Sequence, residues 1–302
     1  MTNLHFGLSG HFAMRVSGGA RGDVMLAEFD NLILDAGLNR LGTGAVASAC
    51  QVGTGTSTPS TTDTSLQAYL VGTSTVQSDS AQSYVAGPPA YVTLSRTFRF
   101  GTGVAAGNLT EVGVGWTSAT GSLFSRARIV DGGGSPATIS VLSDETLDVV
   151  YTLRMYVPAD VTGTVTLAGT VHNYTMRWAA VGSQPNVAGL MSYGMGTVYS
   201  TSAVWASTAA LTAVTSTPTT AGTNGSVTAS GYVSSSYKRS CTATMSLTQG
   251  NVGGTRCLLL LINPASGIGA VSEIQVEFSP VVPKDGTKVW TLNYEVSWGR
   301  AP

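Results

Sequence analysis

Between residues 146 and 157 the chain alternates, with Leu147, Val149, Tyr151, Leu153 and Met155 on one face and Asp148, Thr152 and Arg154 on the other. Side chains switch faces at every residue only in a β-strand, so the pattern describes a strand with one face in a core and the other toward solvent. It recurs along the chain. Residues 11–17 read HFAMRVS, 23–29 DVMLAEF, 91–100 YVTLSRTFRF, 109–116 LTEVGVGW and 123–130 LFSRARIV. The last such segment, residues 289–298, places Trp290, Leu292, Tyr294, Val296 and Trp298 on one face. Gly-rich turns separate these runs, and Gly18-Gly19-Ala20-Arg21-Gly22 forms a hairpin loop between the first two.

The expected fold is all-β, in two β-sandwich-like modules of antiparallel strands. Module one spans residues 1–158 and module two residues 159–302, with the boundary near Pro158, Ala159 and Asp160. Only residues 31–41 (NLILDAGLNRL) show helical spacing, through Leu34, Leu38 and Leu41. Gly37 limits that helix to two or three turns at most. Residues 52–64 are a loop by composition, and 72–89 read as irregular. Residues 201–230, rich in Thr, Ser and Ala, suggest a long loop or an edge ribbon with a hairpin signal at Asn224-Gly225.

The second half resembles a diverged copy of the first. Aligned without gaps, Asp144 and Thr146 fall on Asp285 and Thr287. Val149, Tyr151, Leu153 and Met155 fall on Trp290, Leu292, Tyr294 and Val296. Residues 96–100 can be set against 241–245, and 110–114 against 255–259.

Charge narrows the function classes. Only 10% of the residues are charged, against about 25% in a typical soluble domain. A surface so thinly charged is weakly protected against association, and it points to a chain covered by copies or partners. The net charge is −1 and no run of Lys or Arg occurs, so no basic stripe is available for nucleic acid. Residues 1–10 show no basic or apolar segment of a secretory signal. The longest strongly apolar run, residues 257–262, is far too short to span a bilayer as a helix.

Catalytic patterns are missing. His5, His11 and His172 lie in no zinc-binding spacing, and no G-x-S-x-G elbow occurs. Cys50, Cys241 and Cys257 form no C-x-x-C pair; Cys241 and Cys257 fall in strands as small apolar residues. Asp63, Asp131, Asp144, Asp160 and Asp285 occupy turn contexts, where Asp bonds its own backbone. Gly101-Thr102-Gly103 with Gly107 has the wrong spacing for a dinucleotide loop, so no cofactor is expected. Arg21-Gly22-Asp23 reads as a hairpin turn. The aromatic residues Trp178, Tyr193, Tyr199 and Trp205, next to Gly- and Ser-rich loops, are the candidate contacts for a glycan or a protein partner. Trp290 and Trp298, on the apolar face of one strand, read as core.

Residues 31–44 (NLILDAGLNRLGTG), 52–66 (VGTGTSTPSTTDTSL), 109–116, 123–130 and 144–158 (DETLDVVYTLRMYVP) occur in an order and spacing that resemble a family of tailed-bacteriophage virion proteins. The family is encoded among tail, baseplate and tail-fibre genes, and the likeness covers about 40% of the chain. It implies a β-sandwich structural role in the tail tip, baseplate or fibre-attachment region, with no active site. It also implies synthesis in the host bacterial cytoplasm and assembly into the virion tail. The expected partners are copies of the chain in threefold or sixfold symmetry and other virion tail proteins. Binding of a host surface glycan and decoration of the capsid are the alternatives.

Overall fold

A computed structural model describes residues 2–167, 169–179, 187–195, 203–262 and 272–301. The strands of the N-terminal half are β1 (Thr2–Gly18), β2 (Val24–Asp30), β3 (Leu32–Ile33), β4 (Ala49–Gly53), β5 (Tyr69–Thr73), β6 (Val76–Asp79), β7 (Ser83–Val85), β8 (Tyr91–Phe100), β9 (Gly107–Leu109), β10 (Glu111–Gly115), β11 (Leu123–Arg128), β12 (Ile139–Val141) and β13 (Glu145–Tyr156). Helix α1 (Asp35–Leu41) follows β3. The C-terminal half contains β14 (Val161–Leu167), β15 (Thr170–Ala179), α2 (Val187–Tyr193), β16 (Ala203–Ser207), β17 (Ala221–Ala229), β18 (Lys238–Met245), β19 (Thr255–Ile262), β20 (Ser272–Val282) and β21 (Trp290–Arg300). The protein is all-β, made of large curled antiparallel sheets.

One sheet runs through both halves, in the order β14-β15-β20-β19-β16-β17-β18-β21-β1-β13-β8-β6. A second sheet, β3-β11-β10-β4-β5, belongs to the first half alone. Two corners join the sheets. Strand β2 pairs with β1 (Phe12↔Phe29), and after Asn31 the chain continues as β3, which pairs with β11 (Ser125↔Ile33). In the same way β5 pairs with β4 and, two residues later, β6 pairs with β8. The strands of the first half therefore close on themselves. Phe12, Phe98 and Tyr151 from one side and Val112, Val114 and Phe124 from the other share one core, all fully buried.

The second half repeats this pairing. Its run β15-β20-β19-β16-β17 follows the same chain order as β3-β11-β10-β4-β5, and each run has a seven-residue helix after its first strand. Strand β17 alone does the work of β5 and β6, pairing with both β16 and β18. The ungapped alignment of the last strands sets Val149 on Trp290, and the separate setting of residues 96–100 on 241–245 puts Phe98 on Ala243. In the sheets Val149 faces Phe98 while Trp290 faces Met245, a two-residue offset that keeps the same faces inward.

Several expectations are corrected. A second short helix, α2, forms where only one was expected; Val187, Leu190 and Met191 sit at helical spacing and are buried. Residues 201–230 contribute two paired strands, with β16 between β17 and β19. Asn224 and Gly225 lie inside β17, where Gly225 faces Val204, so they form no turn. Residues 72–89 include the exposed strands β6 and β7, both held against β8.

Two buried devices fix the local geometry. Gly37 looks like a defect in α1, yet a Cβ there would lie 2.3 Å from the carbonyl oxygen of Phe124. The helix can sit on β11 only without a side chain at that position. The long loop after β4 is held by Glu111, fully buried, which accepts from the backbone N–H groups of Gly55 (2.9 Å), Gln67 (3.0 Å) and Ala68 (2.7 Å). Arg126, also buried, donates to Glu111 at 2.8 Å and to Asp63 at 2.5 Å. Two predictions follow from these contacts. Gly37→Ala, which gains about 1 kcal/mol in an unconstrained helix, should here cost about 1–3 kcal/mol by overpacking, read by denaturant unfolding. Glu111→Gln should cost about 3 kcal/mol, because it strips a buried guanidinium of its main counter-charge, and should speed proteolysis between residues 54 and 67.

Candidate functional site

Strand β14 alternates Val161, Gly163, Val165 and Leu167 on its inner face with Thr162, Thr164 and Thr166 outside. Among the described residues its only strand partner is β15 (Val161↔Met176 to Leu167↔Thr170). None of its inner residues is fully buried. The corresponding hairpin strand of the first half, β1, buries Leu4, Phe6, Leu8, Phe12, Met14 and Val16 to 2% exposure or less.

Strand β21 shows the same contrast within itself. Tyr294 to Arg300 pair in parallel with Thr2 to Leu8 of β1, and there Tyr294, Val296 and Trp298 are buried. Trp290 and Leu292, on the same face, lie before β1 begins and are only half-buried. Strand β18 pairs with β21 as far as Trp290, so it is the pairing with β1 that begins, together with full burial of the face, at Tyr294.

Between β14 and the start of β21 lies an open cleft of about 280 Å³, at the small end of ligand pockets, which begin near ~300 Å³. Its walls are Val165, Leu167, Tyr174, Met176, Phe278, Trp290 and Leu292, with Thr164, Thr291 and Asn293 as the polar groups. The Trp290 and Phe278 rings meet at 5.6 Å and 60°. Among the described residues no charged side chain lines the cleft. Strand edges therefore flank an apolar, uncharged floor.

The residues singled out from the sequence do not assemble into one surface. Trp178 is fully buried, its ring edge-on to Phe6 at 5.2 Å. Trp205 is half-buried on β16, three strand positions away, about 14 Å. The partners Trp178↔Ile274, Leu260↔Ile274 and Val204↔Leu260 share a face, which puts Trp205 on the opposite one. The Tyr193 side chain and all of Tyr199 lie outside the described residues. Trp298 is in the core, donating from its indole N–H to the Leu38 carbonyl at 2.8 Å. Trp290, read as core, is instead half in the open cleft.

The titratable residues are bound up in structure. Among the described residues no group of three or more His, Cys, Asp or Glu could hold a metal ion. His172 contacts the Pro280 carbonyl at 2.8 Å, and His5 contacts Ser297 at 3.0 Å. Asp131 and Asp285 accept from backbone N–H groups of their own turns at 2.9 Å, while Asp160 pairs with Arg177 instead. In the Arg21-Gly22-Asp23 turn, Arg21 is clasped by Glu145, and this pairing holds the Glu145 carboxyl below its ordinary value. Burial pushes the Cys257 thiol up to about 12 and the Cys50 thiol higher still, so both are inert thiols at neutral pH. Among the described residues no helix is long and apolar enough to cross a membrane.

No family model, no curated protein and no solved structure matches the chain. The half-covered face gives a direct expectation for stability. Leu4→Ala should cost about 2–5 kcal/mol, the usual range for a buried leucine, whereas Leu292→Ala should cost about 1 kcal/mol. Equal losses in chemical unfolding would show that the cleft is closed in solution.

Proposed function

We propose that this chain is a non-enzymatic structural component of a tailed-bacteriophage virion, placed in the tail tip, baseplate or tail-fibre attachment complex. In this reading it assembles with copies of itself around a threefold or sixfold axis and with other tail proteins. The observation that carries the proposal is the half-covered sheet at β14 and β21, an apolar face with open strand edges and no charge. Such an edge is a hazard for an isolated protein and a docking device inside an assembly. The order of motifs across residues 31–158 supports the phage assignment, and closed rings are the usual form of symmetric assembly.

Immunogold labelling of virions tests the placement. Gold at the tail end is the expected result; gold over the capsid would replace this reading with a decoration role. A second reading, host glycan binding, draws on Trp290 and Tyr174 at the cleft, since aromatic rings stack on sugars. A glycan array with the purified protein separates the two: saturable sugar binding lost in Trp290→Ala would favour the receptor reading.

A further inference from the structure

The chain has 15 Lys and Arg residues. Among the described residues, all but one are held by an ion pair, a hydrogen bond or an aromatic ring. The one left over is Arg128, half-buried at the end of β11. Arg126, two residues earlier on the same strand face, is buried and paired with Glu111 and Asp63. Arg128 opens instead on a pocket of about 370 Å³ at the corner where β2 passes into β3, with Asp30, Thr58, Pro59, Val130 and Pro136 among its walls. This pocket shares no residue with the Trp290 cleft. Its walls are tied in place. Thr58 and Pro59 belong to the loop after β4, which Arg126 holds through Ser57 at 2.7 Å and through Asp63. Pro136 bridges to Val130, and the turn between them is set by the Asp131 carboxylate, which accepts from the backbone N–H groups of Gly133 and Ser135 at 2.9 Å. Asp30 forms no ion pair with Arg128; it contacts His11 Nδ1 at 3.0 Å, and its side chain is 86% exposed.

We propose that this pocket binds a small carboxylate that also carries hydrogen-bond donors, such as a sugar acid. The carboxylate sits on Arg128 and the donors face Asp30 and Thr58. This goes beyond the structural role above and does not depend on where the chain sits in a virion.

The two charged groups of the lining select this chemistry together. A guanidinium presents its donors in a rigid fork that matches a carboxylate in two parallel bonds. An ionised Asp offers acceptors alone. A ligand that suits both carries acceptors at one end and donors at the other. A bare anion, or the acidic side chain of a partner protein, brings no donor for Asp30 and adds repulsion there. A neutral sugar satisfies Asp30 and forgoes the charge-assisted bond to Arg128. The volume lies low in the usual range for ligand pockets, about 300–1,000 Å³, which suits a single ring. Pro59, Val130 and Pro136 give the carbon face of such a ring an apolar wall. Walls already held by their own hydrogen bonds spare the ligand the cost of ordering them.

The test titrates the full chain, labelled with nitrogen-15, with four probes and follows its amide resonances. Glucuronate carries a carboxylate and hydroxyls, alanine a carboxylate and an ammonium, propionate only a carboxylate, and glucose only hydroxyls. Glucuronate should bind saturably, with a dissociation constant of about 1–10 mM, and shift the amides of Asp30, Thr58, Arg128 and Gly134. Propionate and glucose should bind about tenfold more weakly or not at all. Tighter binding of alanine than of glucuronate would support the same two contacts and identify the donor as an ammonium. Arg128→Ala should abolish glucuronate binding, and Arg128→Lys, which keeps the charge and loses the fork, should restore only part of it. Asp30→Ala should weaken glucuronate and leave propionate unchanged. Because Arg128 has no partner within the protein, Arg128→Ala should keep the melting temperature within about 2 °C. A large fall would show that the guanidinium serves the fold, and would overturn the proposal. So would the absence of saturable binding by both glucuronate and alanine, equal binding of all four probes, or glucuronate binding that survives Arg128→Ala.

Discussion

Strand β1 is the element on which the rest depends. Seventeen residues long, it pairs with β13 on one edge from Gly7 to Gly18, and on the other with β21 along its first part and β2 along its last. Its inner residues Leu4, Phe6 and Leu8 serve the core of the second half, where Phe6 meets Trp178 and Trp298. Phe12, Met14 and Val16 serve the first, where Phe12 meets Phe29 and Tyr151. Gly10 marks the change of neighbour. A Cβ there would come within 2.5 Å of the Tyr151 hydroxyl and the Asn31 amide, so a larger residue would displace both side chains at that junction. The hydrophobic contribution of so many buried side chains is shared between two halves that would otherwise each lack a wall.

That sharing explains why the two halves differ. The first closes because β1 and β2 turn into β3 and join the second sheet. In the second, β1 already occupies most of the outer edge of β21, and β14 stays on the far side of a gap. The cleft is thus a consequence of joining two similar units through one strand. It sits where a unit with this pairing order lacks its last neighbour.

The strands themselves were legible from alternation. Residues 91–100 coincide with β8, and the strand expected over 146–157 is β13 displaced by one residue. Their neighbours were not legible, because all amphipathic strands look alike and pairing is decided by tertiary packing. Residues 203–207 (AVWAS) are too short and too rich in small residues to announce a central strand. Trp290 and Trp298 read identically, on one face of one strand, and they differ only because β1 ends its coverage between them. No local pattern carries that information. The helix α2, by contrast, did leave a trace in Val187, Leu190 and Met191.

The scarcity of charge goes further in the structure than in the composition. Arg126 and Glu111 are buried under the loop after β4, Arg96 is buried against Asp79 and the Ala47 carbonyl, and Asp148 is buried between Arg99 and Arg15. Lys284 is fully buried, its ammonium donating to the Ser246 and Asp285 carbonyls and the Asn251 side chain, one acceptor for each proton. These groups pin loops whose Gly, Ser and Thr content gives them little apolar surface of their own. Charges engaged in this way are withdrawn from the task of keeping surfaces apart. What remains outside is dominated by Thr, Ser and small apolar residues, and at β14 and β21 it includes open strand edges. A protein arranged like this stays unassociated only at a continuing risk of aggregation.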